Sequence, residues 1–593
     1  MVDEKVAIDT ITFQVLKNAF SSIVDEMAAL VQKCAFSLVV SEGRDYCGTI
    51  TNKHGDLIAT GVTDLPAHLG TIPFTIKGMI EWLDVPVDEY FSPGDIVIIN
   101  DAYIGGTHNN DIRLVMPVYY EGSIVGFVID SAHWADIGGH VPGTFDPNAR
   151  SSHGEGLIIP PIKIVEEGKL NEDLSNMILR NVRMQSEAYG DLMAQIGAVR
   201  LGSSRLVELI DRYGLDLIES EMDALISYSK TILKKEFEKL PDGKYEFTAL
   251  IDKDPAADTD DPLEVTMELI IEGDKATYDF SRSSPVAKGA INSTKAVTVS
   301  GAVIATKSIF PWVPINQGVF HAIDIILPDN LVCNALYPNP VCGAAATIYP
   351  AVTDCIHGTF IQIIPERCCA GTTGLVNTTW GGLDTRDPSE TKEFVAYIWL
   401  EGGWGARPGK KDNHSAMCLF ASTATNIPIE QVERMNPIIF ESYRYEPDSM
   451  GAGYHRGGPG VVKSWYFSHG EAIGSSLGDG EVFGPWGYEG GKGAPGSTLI
   501  LAKDTSEEEA LGMFLTGAEI GKDKTVEFFM SGGGGWGNPY ERPVDWVCED
   551  VENGLVSVDA AKSEYGVVLK ETEIYGEYLV DEEETDSLRK NSK

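Results

Sequence analysis

Apolar residues recur at spacings of three and four through the first element the chain can form. Asp9 stands as an N-cap, and Phe13, Leu16, Phe20, Ile23, Val24, Met27, Leu30, Val31 and Cys34 fall on one face of a helix, the stripe expected of a helix packed on a core. Ser41 to Gly48 then forms a turn into a short strand over 49–51, and Asn52-Lys53-His54-Gly55 makes a hairpin into 56–60. A second helix is predicted over 72–82, and strand-like runs over 95–100 and 124–130. Helical periodicity returns over 174–184, 188–213 and 215–237, ending at Pro241-Asp242-Gly243. Alternating patterns predict strands over 245–251, 263–271 and 276–280, with a helix over 294–308 in the mixed stretch that follows. A strand over 461–466 opens a glycine-dense region. The acidic tail, 580–593, reads as disordered beyond its first residues.

These elements describe an α+β chain of several lobes. Residues 1–169 read as a mixed α/β lobe carrying the polar clusters, 170–240 as a helical segment, 241–447 as a mixed α/β region, and 448–593 as a glycine-rich, mostly β region with the acidic tail. The length of 593 residues agrees with about three or four such units.

Charge changes the picture by exclusion. With 46 basic and 88 acidic side chains the net charge is −42, which argues against general affinity for nucleic acid or an anionic membrane. No uncharged apolar run reaches the ~20 residues that span a bilayer, and the start shows no basic region followed by an apolar core. Nine cysteines without a Cys-x-x-Cys pair read as reduced thiols. The expected location is the cytoplasm.

Candidate chemistry concentrates between Asn100 and Gly143. His108 is followed three residues later by Asp111, and His133 by Asp136, each pair beside paired glycines at the end of a strand-like run. Imidazole and carboxylate side chains converging there suit a divalent metal such as zinc, manganese or iron. Asp45, at a strand mouth, is a turn-former or a ligand, and spacing favours the turn. The glycine-rich loops, including Gly532 to Gly535, lack the Lys-Ser/Thr of a phosphate loop and read as tight turns and close backbone packing.

The chain resembles the B (β) subunit of the hydantoinase/oxoprolinase family, which includes the α subunits of ATP-dependent acetone and acetophenone carboxylases. The resemblance runs through Arg44-Asp45, Asn100-Asp101, Gly105-Gly106-Thr107-His108 with Asp111, Ala132-His133 with Asp136-Ile137-Gly138-Gly139, Pro142-Gly143, and Glu155-Gly156-Leu157. It continues through Arg456-Gly457-Gly458-Pro459-Gly460, Gly532 to Pro539, Asp550-Val551, Gly554 to Ser557 and Tyr565 to Val568. It implies that His108, Asp111, His133 and Asp45 hold a divalent metal, zinc or manganese. It also implies an A-type partner subunit that binds ATP and magnesium, in a hetero-oligomer such as a dimer of heterodimers. The implied activity is ATP-dependent hydrolysis of a cyclic amide (hydantoin, 5-oxoproline or a lactam), the alternative being carboxylation of a ketone with bicarbonate. A non-catalytic scaffold is a third reading, against which the retained ligand set argues. Asp136 would orient His133 or act as a general base, and His68 is a further candidate for proton transfer. Two departures bear on the substrate: Asn109-Asn110 replaces a frequent Leu-Pro, and Trp134 replaces a second histidine and would shape the pocket.

Overall fold

The computed structural model describes residues 9–572, 574 and 576–591. The first eight residues, on which the expectation of no secretory signal rests, and the last two of the tail lie outside them. The architecture is the α+β one that the periodicity predicts.

Its first part is a seven-stranded antiparallel sheet, in the order β2-β1-β5-β4-β3-β6-β7. The strands are β1 Tyr46–Asn52, β2 Leu57–Thr60, β3 Ile96–Ile99, β4 Asp111–Tyr120, β5 Ser123–His133, β6 Ile162–Glu166 and β7 Lys169–Leu170. Helix Thr10–Cys34 starts at Asp9, whose carboxylate accepts the N–H groups of Ile11 and Thr12. Its buried face packs on helix Gln185–Tyr213, and both cover one side of the sheet. Ile96, Ile98, Ile112, Leu114 and Val128 point to that side. Val97, Ile99, Val115, Phe127 and Ile129 point to the other, against Ile72, Ile76 and Met79 of helix Ile72–Leu83. This is the two-residue period of strands covered on both faces. The predicted run 124–130 is therefore longer than expected and carries His133 inside β5, as its last residue.

A second sheet joins Gly243–Ile251, Leu263–Glu272 and Lys275–Asp279 to the parallel strand Ile323–Ile326. It is backed by helices Lys295–Ile309 and Ile348–Phe360, the second of which the sequence reading did not predict. Two further antiparallel sheets share a core around Trp380, Trp465, Phe467 and Phe528.

Gly532 to Gly535 threads between other main chains. A Cβ on Gly533 or Gly534 would collide with the carbonyl oxygens of Trp404 and Trp486, so the glycines serve close packing, as the sequence predicts. The acidic tail differs from expectation. Glu582–Asn591 is a helix with Glu582, Glu583 and Glu584 in its first turn and Arg589 and Lys590 in its last, charges that complement the helix dipole. Thr585 is buried and accepts the N–H of Val568. All nine cysteines are free. Among the described residues no helix is long and apolar enough to cross a membrane.

Candidate metal site

Three neighbouring strand ends bring the expected residues together. Asp111, first residue of β4, lies directly opposite His133, last residue of β5. On the other side of β5, Tyr46 pairs with Ala132, which sets Asp45 beside His133, and the Asp45 carbonyl accepts the His133 N–H at 3.0 Å. The chain enters Asp45 through Arg44 at φ 60°, the left-handed region rarely used by non-glycine residues. His108 comes from the loop before β4, where Asn100 Nδ2 donates to the Asn109 carbonyl and Asp111 N–H to the His108 carbonyl.

His133 Nδ1 lies 3.2 Å from Asp111 Oδ1 and 3.9 Å from Asp45 Oδ2, and His108 Nδ1 lies 3.7 Å from Asp111 Oδ2. One donor atom each of His108, Asp111 and His133 falls within 4.8 Å of the others. His108 Nδ1, Asp111 Oδ2 and His133 Nε2 are buried without a hydrogen-bond partner. Leaving such groups unpaired is unfavourable by about 1–3 kcal/mol each, which a bound cation would relieve at the atoms it reaches. Two imidazoles and a carboxylate form a nitrogen and oxygen donor set of the kind that holds a divalent cation, and Asp45 lies beside it.

Burial pushes the His108 imidazole down to about 4, helped by His133 and opposed by Asp111 and Asp45, so at neutral pH it offers a lone pair. Burial raises the Asp111 carboxyl, but His108, His68 and His133 outweigh it and hold the group well below the usual carboxylate range. His68, on the short helix Pro66–Leu69, joins the cluster from the side. Its Nε2 is 2.8 Å from Asp45 Oδ1 and its Nδ1 3.5 Å from Asp111 Oδ2. Burial pulls the His68 imidazole down, yet Asp111 and Asp45 overcome it and raise it above the ordinary value. His68 thus braces the two carboxylates.

The cluster forms one wall of a cavity. Tyr397 stacks on His133 with ring centres 5.2 Å apart, and Phe145 stacks on the same imidazole at 6.0 Å. Asn377, Trp399, Tyr349 and Phe420 complete much of the remaining wall. Sequence reasoning missed all of these. Phe145 follows His133 closely in the chain, but the others lie hundreds of residues from the histidine clusters, and no spacing pattern linked them to the site.

Other candidates are placed elsewhere. Asp136 is not in the cavity wall. Its carboxylate accepts the N–H groups of Gly138, Gly143 and Arg183 and pairs with the Arg183 guanidinium at 2.7 Å. It organises the loop after β5. Trp134 follows His133, so strand alternation turns it to the opposite face, where its Nε1 donates to Gln195 of helix Gln185–Tyr213. Asn109 and Asn110 donate to the main-chain carbonyls of Glu155, Trp134 and Gly143. The two sequence departures therefore shape the scaffold and leave the cavity wall untouched. Glu155 ties a distant loop through the N–H groups of Val341 and Cys342, His153 pairs with Ser151 and Tyr337, and His140 is exposed.

Comparison with known proteins places the chain in a family. A protein of Methanocaldococcus jannaschii is 32% identical over 98% of this chain and 100% of its own length. The caprolactamase subunit beta of Pseudomonas jessenii is 30% identical over 95% of this chain and 96% of its own. The crystal structure of the ATP-dependent caprolactamase from that organism superposes with a TM-score of 0.88, covering 99% of this chain and 100% of the matched chain at 28% identity. A nucleotide-free acetone carboxylase structure shares the fold with a TM-score of 0.89, at 22% identity over 98% of this chain and 83% of its own. The family model described as hydantoinase B/oxoprolinase matches residues 9–539, and the chain belongs to that family.

Proposed function

We propose that this chain is the metal-holding, substrate-binding subunit of an ATP-dependent cyclic amide hydrolase, and that an ATP-binding partner chain supplies the nucleotide and its magnesium. The observation that carries the reading is a buried set of unpartnered nitrogen and oxygen donors, at His108, Asp111 and His133, opening on an apolar cavity. Relatives that bear the name of caprolactamase and are designated a beta subunit support both the amide and the partner.

His108, Asp111 and His133, with Asp45 beside them, would hold the divalent ion. Bound there it would polarise a carbonyl and lower the pKa of a coordinated water. His68 keeps the Asp45 and Asp111 carboxylates oriented through its two ring nitrogens. As the ring C–N bond breaks, the nitrogen needs a proton; both ring nitrogens of His68 face carboxylates, so in this reading His68 acts by holding those carboxylates and not as the direct donor. Tyr397 and Phe145 each stack on the His133 ring and on one another. Trp134 and Asn109-Asn110, the departures that bear on the substrate, do not line the cavity, and no specific observation favours the carboxylase reading.

The test is reconstitution of the chain with its partner, ATP, candidate lactams and carbon-labelled bicarbonate. Ring-opened amino acid together with ADP and no retained label is expected. Label held stably in a carboxylated product overturns the reading.

A further inference from the structure

The cavity beside the histidine–aspartate cluster holds a hydrogen-bond donor that the chain itself does not use. On the hydrolase reading, which makes this cavity the substrate site, we propose that Trp399 is a substrate-binding residue. Its indole N–H donates to a carbonyl or carboxylate oxygen of the bound molecule.

Trp399 is 4% exposed and lines the cavity, and its Nε1 is buried with no hydrogen-bond partner. It stands two residues past the end of strand Lys392–Tyr397, and the alternation of that strand continues through it. Ile398 and Leu400 pack into the core around Trp380 and Trp465, whereas Tyr397 and Trp399 pack with Met417 and Phe420 on the cavity side. The main chain there is held at both carbonyl and amide. The Ile398 N–H donates to the Thr378 carbonyl at 3.2 Å, and the Trp399 carbonyl accepts from Lys463 Nζ at 2.8 Å. Lys463 is itself buried and pairs with Glu401 at 2.7 Å. The indole meets Tyr397 edge to face at 6.0 Å, and Tyr397 stacks on His133. One run of touching rings therefore joins Trp399 to the cluster.

An indole N–H can only donate, so the position of the ring alone decides where an acceptor must sit. Thr107 Oγ1 and Asn377 Nδ2 are also unpartnered on this wall, but a hydroxyl can turn and a side-chain amide can reverse, and neither sets a direction by itself. Indoles that serve the scaffold of this chain find acceptors within it: Trp134 in Gln195, Trp404 in the Met417 carbonyl and Trp536 in Glu489. Trp380, Trp465 and Trp486 lack partners as Trp399 does, yet none of them lines the cavity. Trp399 alone combines a bare N–H with a place on the wall, among Leu65, Val297, Leu375 and Phe420. A few polar groups set in an apolar wall are what orient a small molecule, and an oxygen of that molecule is the partner an unpaired, desolvated N–H fits.

The experiment is calorimetric titration of the full chain, supplied with zinc or manganese, alone and with its partner, using hydantoin, 5-oxoproline and ε-caprolactam as probes. Two changes remove the N–H: Trp399→Phe, and replacement of the Trp399 indole by benzothiophene, which puts sulfur in place of N–H at almost the same size. Wild type should bind at least one probe, and both variants should bind it about tenfold more weakly. Metal content should stay at the wild-type level in both, and melting temperature in the benzothiophene form. In chain labelled with ¹⁵N at tryptophan, the indole signal that Trp399→Phe lacks should move downfield in its proton shift when the probe is added. Unchanged affinity in the benzothiophene form, an unmoved Trp399 signal, or no binding of any probe to wild type overturns the proposal. The two readings fail separately. Bicarbonate label retained in product, with binding still weakened by both changes, sinks the hydrolase and leaves Trp399 in place. Ring opening by a complex whose benzothiophene form binds the probe as wild type does sinks the role of Trp399 alone.

Discussion

Asp111 and His133 face each other across the antiparallel strands β4 and β5, with Oδ1 and Nδ1 3.2 Å apart. Ten residues away in β4 the same pair of strands closes through Glu121 and Gly122, both at positive φ, 50° and 85°. Two such residues make the tight turn whose twist suits a hairpin, and a slip of one residue would send every side chain to the other face. The turn therefore helps to set which side chains meet at the site.

Gly122→Ala tests that link. An alanine held at this φ should destabilise the protein by about 1–2 kcal/mol, read from denaturant unfolding. The register is also held by the buried faces of the sheet, so metal content should stay at the wild-type level. A variant of unchanged stability would remove the turn from the account.

Trp134→His places a second histidine directly after His133. Because the side chain faces helix Gln185–Tyr213 and not the cavity, it should add no ligand. Metal stoichiometry should be unchanged, and the lost packing should lower stability by about 2–4 kcal/mol. A higher metal affinity would contradict the placement of Trp134.

Asp136→Ala separates scaffold from chemistry. Removing a carboxylate that satisfies three main-chain N–H groups and Arg183 should destabilise the fold by about 3 kcal/mol. The folded fraction should keep its metal. Full stability with abolished turnover would return Asp136 to the catalytic role that the sequence reading gave it.

Glu155 gives a pH dependence. Burial raises its carboxyl to about 7, partly offset by the N–H groups of Val341 and Cys342. In the unfolded chain the group titrates near the ordinary glutamate value, about 4.3. Between these two values the unfolded state holds fewer protons, so stability falls as pH rises through that window and levels off above about 7. Glu155→Gln, which can still accept from both N–H groups, should remove this loss. Its advantage over wild type in chemical denaturation should grow between pH 5 and pH 8, reaching about 3 kcal/mol. A constant difference across that range would show that Glu155 titrates normally.

Much of the fold was legible because periodicity reports burial directly. Helix Leu215–Phe237 has the limits that the pattern predicts, and helix Thr10–Cys34 begins at its predicted cap. Helix Glu582–Asn591 was not legible, because it is largely polar and its apolar pattern is too thin to report a buried face. At the site, His108, Asp111 and His133 were visible from spacing, since adjacent strand ends keep sequence neighbours near in space. Asp45 needed the family resemblance, because only the pairing of β1 with β5 brings it to His133. Trp134 was misplaced for a local reason. Consecutive residues of a strand face opposite ways, and the predicted strand stopped at residue 130, before that alternation could be applied. Asn377 and Tyr397 reach the cavity from another sheet entirely.

The central claim is that the strand ends of β1, β4 and β5, with the loop before β4, build a metal site. Metal analysis of the purified chain and its single variants tests it most directly. Wild type should carry stoichiometric zinc or manganese, or bind it on addition. His108→Ala, Asp111→Ala and His133→Ala should each lose it, and Asp136→Ala should keep it. Unchanged metal content in the two histidine variants would contradict the account.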